Sequence, residues 1–248
     1  MTFDPFGDFT SRGYLRNKAG LHDPAAVKAF EHAAFLDKLD DAFTYLRGVK
    51  TLTYPDVLAV HRILFEDVYP WAGQDRAQSA PDIAVTRGTV LFAHPNDARA
   101  AVDYGLRRGQ DKAIMSDKPG EVMGYLAYGH PFLDGNGRTI MTVHAVLAER
   151  AGISIDWAST DKADYLTALT RELDEPAKGH LDAYLKPFIG SSVGHDRLAD
   201  HVTRTSGLDG ISQQPAADNE VLGRFSDAAV QARYQLQQLR RSQSDPKP

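Results

Sequence analysis

Apolar residues recur along most of this chain at intervals of three and four, the spacing that lines one face of an α-helix. In AAVKAFEHAAFLDKLDDAFTYL they fall at Val27, Phe30, Ala34, Leu36, Leu39 and Phe43, and Asp23-Pro24 just ahead supplies an N-cap and a first-turn proline. TYPDVLAVHRILF repeats the pattern, with Thr53 as cap and Leu58, His61-Arg62 and Leu64-Phe65 following. NDARAAVDYGLRRG, KPGEVMGYLAYGH, RTIMTVHAVLAERAG and DKADYLTALTREL read as further helices, with Gly109 and Gly152 placed to end theirs. One stretch departs from the habit. DIAVTRGTVLFAHP sets Ile83, Val85, Val90 and Phe92 around Arg87-Gly88-Thr89, which predicts a short β-hairpin turning near Gly88. A lone hairpin of that size is marginal in water, so it has to lean on the helical body. The expected fold is mainly α, a helical bundle with one small β-hairpin.

The pattern changes after Pro187. Residues 190–210 are rich in Gly, Ser and polar side chains, and SQQPAADNE reads as linker. VLGRFSDAAVQARYQLQQLRR then places Val221, Phe225, Ala228, Ala232, Leu236 and Leu239 at helical spacing, which predicts a final amphipathic helix. The division expected is a globular domain at 1–190, a linker at 191–220 and a C-terminal helix and tail at 221–248. A length of 248 residues suits one large domain with such an appendage.

Charge and composition narrow the function. Lys and Arg number 28 against 33 Asp and Glu, a net charge of −5, which argues against a dedicated nucleic-acid or membrane-surface binder. The chain has no cysteine, which removes disulfides, thiolate nucleophiles and cysteine-ligated zinc. No apolar run approaches the ~20 residues a membrane span requires. MTFDPFGDFTSRGYLRNKAG lacks the basic start and apolar core of a secretory signal. The expectation is a soluble protein, cytoplasmic or delivered into a host cell by a specialised secretion system.

The chemistry concentrates in HPFLDGNGRTIM, residues 130–141. Gly135, Asn136 and Gly137 lie where the second of two predicted helices begins. Two glycines there permit positive φ and close approach of a ligand, and successive amides form an anion nest at the positive end of the helix. Arg138 adds a planar fork that matches phosphate. Asp134 would repel that phosphate unless a cation lay between, as Mg²⁺ held by one carboxylate and phosphate oxygens does. His130 ends the preceding helix, and a neutral imidazole beside phosphate is suited to take a proton from an incoming hydroxyl. Base, metal ligand, anion cradle and phosphate arginine within nine residues describe phosphoryl or nucleotidyl transfer.

The stretch closely resembles the Fic (Fido) family signature, HPFx(D/E)GNGRxxR, and agrees at every fixed position through Arg138. GYLRNKAGLHDP, VYPWAGQDR and DYLTAL resemble other family segments, so the similarity spans about residues 10–188. It implies a Fic-type helical bundle that transfers AMP from ATP, or a related phosphate-containing group, to a Ser, Thr or Tyr hydroxyl of a target protein. By position it implies His130 as base, Asp134 as ligand of Mg²⁺ or Mn²⁺, Gly135, Asn136 and Gly137 as anion hole, and Arg138 on the phosphates. Val85, Thr86, Arg87, Gly88, Thr89, Val90, Leu91 and Phe92 would form a flap that pins the target by main-chain pairing. Tyr165 would line the adenine side. The partners implied are a nucleotide, the target and a small inhibitory (antitoxin) protein, with neither nucleic acid nor membrane.

Two features depart from the family pattern. Its second arginine, which holds the outer phosphate of ATP, is Met141 here, and core packing is the job expected of Met141 and of His144 beyond it. The family's inhibitory motif, Ser/Thr-x-x-x-Glu-Gly/Asn, is matched only in degenerate form by Thr205 to Gly210, with Asp209 in place of glutamate. An alternative therefore stays open, a catalytically weak relative acting as a nucleotide- or partner-binding module. His22-Asp23 and His195-Asp196 lack further spaced ligands, which disfavours a metal hydrolase.

Overall fold

The computed structural model describes residues 16–205 and 220–244. Helix α1 (Pro24–Gly48) begins as its sequence predicts, with the Asp23 carboxylate accepting from the Ala26 amide at 2.8 Å and Pro24 in the first turn. Helix α2 (Tyr54–Phe65) follows, its start fixed by the Thr53 amide and hydroxyl donating to Asp56 at 2.8 and 2.6 Å. After a one-turn helix α3 (Arg76–Ser79) come β1 (Ile83–Arg87) and β2 (Val90–Leu91), antiparallel strands joined at Gly88, whose φ of +55° suits a tight turn. The hairpin stands where expected.

The body is built around α6 (Pro119–Gly129), every residue of which is buried. Helices α4 (Ala98–Gln110), α5 (Lys112–Asp117), α7 (Asn136–Ala151), α8 (Lys162–Asp174) and α9 (His180–Leu185) pack on it. The core runs from Phe35 and Leu39 on α1 through Phe65, Trp71 and Phe132 to Val122, Met141 and Leu147. Gly152 ends α7 at φ +85°, as its position suggested, but Gly109 lies inside α4. A Cβ on Gly109 would sit 2.7 Å from Leu147 Cδ1, so this glycine serves close packing and Asp111 makes the cap.

The region beyond residue 187 differs most from expectation. Strands β3 (Ile153–Ile155) and β4 (Ile189–Ser191) pair into a second small sheet. Within the stretch read as linker, α10 (Leu198–Thr203) buries Leu198 and Val202 against α1 and α7. The segment read as the start of a helix is instead β5 (Glu220–Arg224), which pairs antiparallel with β1 and gives the order β2-β1-β5. An open strand edge offers unpaired amides and carbonyls, and that pairing outweighs helical spacing here. The last helix, α11 (Ala228–Ser244), turns its apolar positions outward: Leu236 and Leu239 are 61% and 59% exposed while Gln237 and Arg241 are buried. Its first turns pack Val230 and Tyr234 with Phe225 on Ala84 and Leu91 of the hairpin, while Gln237 and Arg241 bond main-chain carbonyls that leucines could not satisfy. Among the described residues no helix is long and apolar enough to cross a membrane.

Candidate active site

The loop between α6 and α7 carries the signature residues, and its first residue is held in an unusual shape. His130 caps α6 in the left-handed region (φ 42°, ψ 57°), which costs a non-glycine residue about 1–2 kcal/mol. The fully buried Arg76 stabilises it. Its Nε donates to the His130 carbonyl at 2.7 Å, Nη2 to Ala93 O at 2.9 Å and Nη1 to Ile83 O at 3.2 Å, while its own amide donates to Pro131 O at 2.7 Å. One guanidinium thus ties the loop to both ends of the hairpin. Burial lowers the Arg76 pKa to about 10.

The His130 ring stacks on Phe92 of the hairpin, 3.9 Å between centroids and 14° between planes. Asn136 fixes its protonation. The Phe132 amide donates to Asn136 Oδ1 at 2.8 Å, so Nδ2 is the other end of the amide, donating to Phe132 O at 2.7 Å and lying 3.2 Å from His130 Nε2. An N–H facing Nε2 leaves the lone pair on Nε2 and the ring proton on Nδ1. Burial, with the nearby charges of Arg76 and Arg87, holds the imidazole well below its ordinary pKa, so it is neutral. Asn136 therefore holds the loop and the His130 ring in place as well as opening α7.

Asp134 is 30% exposed and receives the Gly135 amide at 2.5 Å, Lys28 Nζ at 3.2 Å and Arg138 Nη2 at 3.6 Å. Burial opposes its ionisation, but the two cations prevail and keep the carboxyl below its usual range. Gly135 sits at φ +75°, and a Cβ there would strike Phe65 at 2.6 Å, so only glycine fits; at Gly137, in the first turn of α7, a Cβ would meet nothing within 4 Å. Arg138 lies with its guanidinium 4.6 Å from the Phe65 ring centroid and 3.4 Å from Glu31 Oε1. Glu31, on α1, is fully buried, accepts a short hydrogen bond from Tyr69 and lies 3.2 Å from Lys28. Beneath the loop, His61 accepts from the Gly73 amide at 2.9 Å on Nδ1 and so donates from Nε2 to Asp134 O at 3.1 Å. It is stacked 3.7 Å from Phe132, and burial lowers its pKa to about 3.

The other predicted residues are placed less directly. Tyr165 packs edge-on against Trp157 at 5.4 Å, with burial raising its phenol to about 12. Met141 is buried in the core, and His144 is turned to Pro119 O at 2.8 Å at the start of α6. The flap edge expected to meet a target is covered. Val85 and Thr86 pair with Val221 and Glu220 of β5, the Leu91 amide and carbonyl are bonded to the Gln237 side chain at 2.8 and 2.6 Å, and Arg233 donates to Thr89 O at 2.9 Å. Thr205 is buried at the end of α10, while Asp209 and Gly210 lie outside the described residues. The pattern of the chain did not single out Lys28, Glu31, His61 or Arg76 for the site. Glu31 and His61 did leave a trace, each a polar residue in the middle of an apolar helical stripe.

A family described as Fic/DOC matches residues 51–148. Protein adenylyltransferase VbhT of Bartonella schoenbuchensis is 30% identical over 188 residues, 72% of this chain but 37% of that relative, so the chain spans little more than a third of its length. The probable protein adenylyltransferase y4lH of Sinorhizobium fredii is 28% identical over 166 residues, 63% of this chain and 82% of the relative. Among solved structures, the N-terminal Fic domain of a Bartonella quintana effector with bound ADP superimposes with a TM-score of 0.60 at 19% identity, covering 75% of this chain and 95% of that one. The BepC protein of Bartonella tribocorum with bound AMPPNP gives a TM-score of 0.57 at 18% identity, covering 72% and 93%. At those identities the structures speak to the fold alone.

Proposed function

This chain carries a Fic/DOC family domain at residues 51–148, and on that premise we propose that it transfers AMP from ATP to a Ser, Thr or Tyr hydroxyl of a target protein. The observation that carries this is the base. His130 is neutral, presents its lone pair at Nε2 and is locked between Phe92 and Asn136, at the mouth of a glycine-lined helix N-terminus. In the reaction the target hydroxyl displaces the Asn136 N–H from Nε2, which accepts its proton as the hydroxyl oxygen bonds to the α-phosphorus. The bond from that phosphorus to the bridging oxygen breaks, and pyrophosphate leaves. The first-turn amides of α7 and the fork of Arg138 receive charge on the phosphates.

Asp134 is the residue to hold Mg²⁺ or Mn²⁺, which would supply charge to the leaving pyrophosphate. The fit is that of a single half-open carboxylate completed by phosphate oxygens and water, since among the described residues no group of three His, Cys, Asp or Glu converges. The target segment pairs with the edge of β1, which β5 must first yield. Names of relatives that are adenylyltransferases support the AMP reading.

The buried Met141 favours the second reading, a module that binds nucleotide without transfer. Incubation of the protein with a cell lysate and, separately, ATP, GTP, UTP and CTP labelled at the α-phosphate decides between them. Labelling of a protein band by ATP supports transfer of AMP. ATP binding without any labelled band supports the module.

A further inference from the structure

The phosphate edge of the site holds a cation from outside the signature. Lys28, on α1, lies 3.2 Å from Asp134 Oδ2 and 3.2 Å from Glu31 Oε2. Glu31 also lies 3.4 Å from Arg138, so one fully buried carboxylate holds an ammonium and a guanidinium side by side. Both cations flank Asp134, and Lys28 is 64% exposed, so its four-carbon stem is free to move its charge by several ångströms. On α7 the position one turn beyond Arg138 is Met141, buried in the core and without charge. Among the described residues, the full positive charges within 4 Å of Asp134 are Arg138 and Lys28. Lys28 and Glu31 both fall outside residues 51–148, so the family match does not assign them a role.

We infer that Lys28 is a specificity-determining contact for the outer phosphates of the donor, supplying from α1 the second cation that α7 lacks at Met141. An ammonium is a compact point charge that binds phosphate without a fixed fork geometry, which suits a long side chain reaching in from a neighbouring helix. Glu31 holds the stem of this arrangement next to Arg138. When a polyphosphate enters, Lys28 exchanges a carboxylate oxygen of Asp134 for a phosphate oxygen and so frees that carboxylate. The inference rests on the proposed nucleotide site but makes a separate demand: discrimination by phosphate number should depend on a residue of α1.

Calorimetry tests it with native protein, Lys28→Met and Lys28→Arg against AMP, ADP, ATP and inorganic tripolyphosphate, each with Mg²⁺ and with EDTA. Lys28→Met should lose about tenfold in affinity for ATP and tripolyphosphate, the scale of one charge-assisted contact. AMP, which lacks outer phosphates, should change less than about twofold, and Lys28→Arg should restore most of the loss. ATP affinity in Lys28→Met equal to or above the native value overturns the inference, because Lys28 would then only neutralise Asp134. An equal loss for AMP overturns it too, since the effect would be one of the whole site. Native protein that binds tripolyphosphate in a Lys28-dependent way but not ATP keeps the inference and sinks the adenylyl reading. Binding of neither sinks both.

Discussion

Replacing Arg76 by methionine tests how the catalytic loop is held. The variant keeps most of the buried volume but removes the three N–H donors that Arg76 gives to the carbonyls of His130, Ile83 and Ala93. Hydrogen bonds from a charged donor are worth about 1.5–3 kcal/mol each. Three of them give roughly 4–9 kcal/mol before the cost of burying the guanidinium, which offsets several kcal/mol. The net loss expected is about 3–5 kcal/mol, a large part of the 5–15 kcal/mol typical of a domain. Urea unfolding should show it as a lower midpoint with an unchanged slope. A second readout separates the site from the fold. The nearby Arg76 charge helps depress the His130 pKa, so in the variant the imidazole should titrate at higher pH by NMR. A stability loss under about 1 kcal/mol, with the titration unmoved, would refute the role assigned to Arg76.

Two further perturbations follow from the same structure. His144 is buried with its pKa lowered to about 4, so the unfolded chain takes up that proton first, and stability is lost as pH falls from 6.5 toward 4. His144→Leu should remove about 2 kcal/mol of the loss between pH 7 and pH 5 in urea titrations, and parallel native and variant curves would contradict this. Because the chain has no cysteine, Ile83→Cys with Arg224→Cys places a single oxidisable pair across β1 and β5. The oxidised protein should bind ATP normally yet modify its target poorly, with recovery on reduction. Equal modification in both states would show that the target does not use the β1 edge.

The family was legible because its signature is contiguous: His130, Asp134, the two glycines and Arg138 lie within nine residues, and the residue types suggest a role for each. The hairpin was legible because β-branched and aromatic residues flank a glycine turn. Lys28 was not, since it meets Asp134 across 106 residues through packing of α1 that periodicity does not specify. Arg76 likewise reads as a surface charge until the three carbonyls it joins are seen together. The C-terminal segment misled for a physical reason. Helical spacing in Val221 to Leu239 predicted one continuous apolar face, whereas the segment pairs as a strand first, packs only Phe225, Val230 and Tyr234 in an apolar cluster, and meets main chain beyond it. Backbone pairing and the buried Gln237 decided the outcome, and Leu236 and Leu239 were left facing outward.

The central claim, that His130 is the base of an adenylyl transfer, is tested most directly by the fate of the α-phosphate. Native protein and His130→Ala are each incubated with Mg²⁺, a lysate and ATP labelled either at the α- or at the γ-phosphate. Native protein should place the α-label, and not the γ-label, on a protein hydroxyl, and the variant should do so about 10²–10⁴-fold more slowly while still binding ATP. Transfer of the γ-label, or α-label transfer by His130→Ala at the native rate, would contradict the claim.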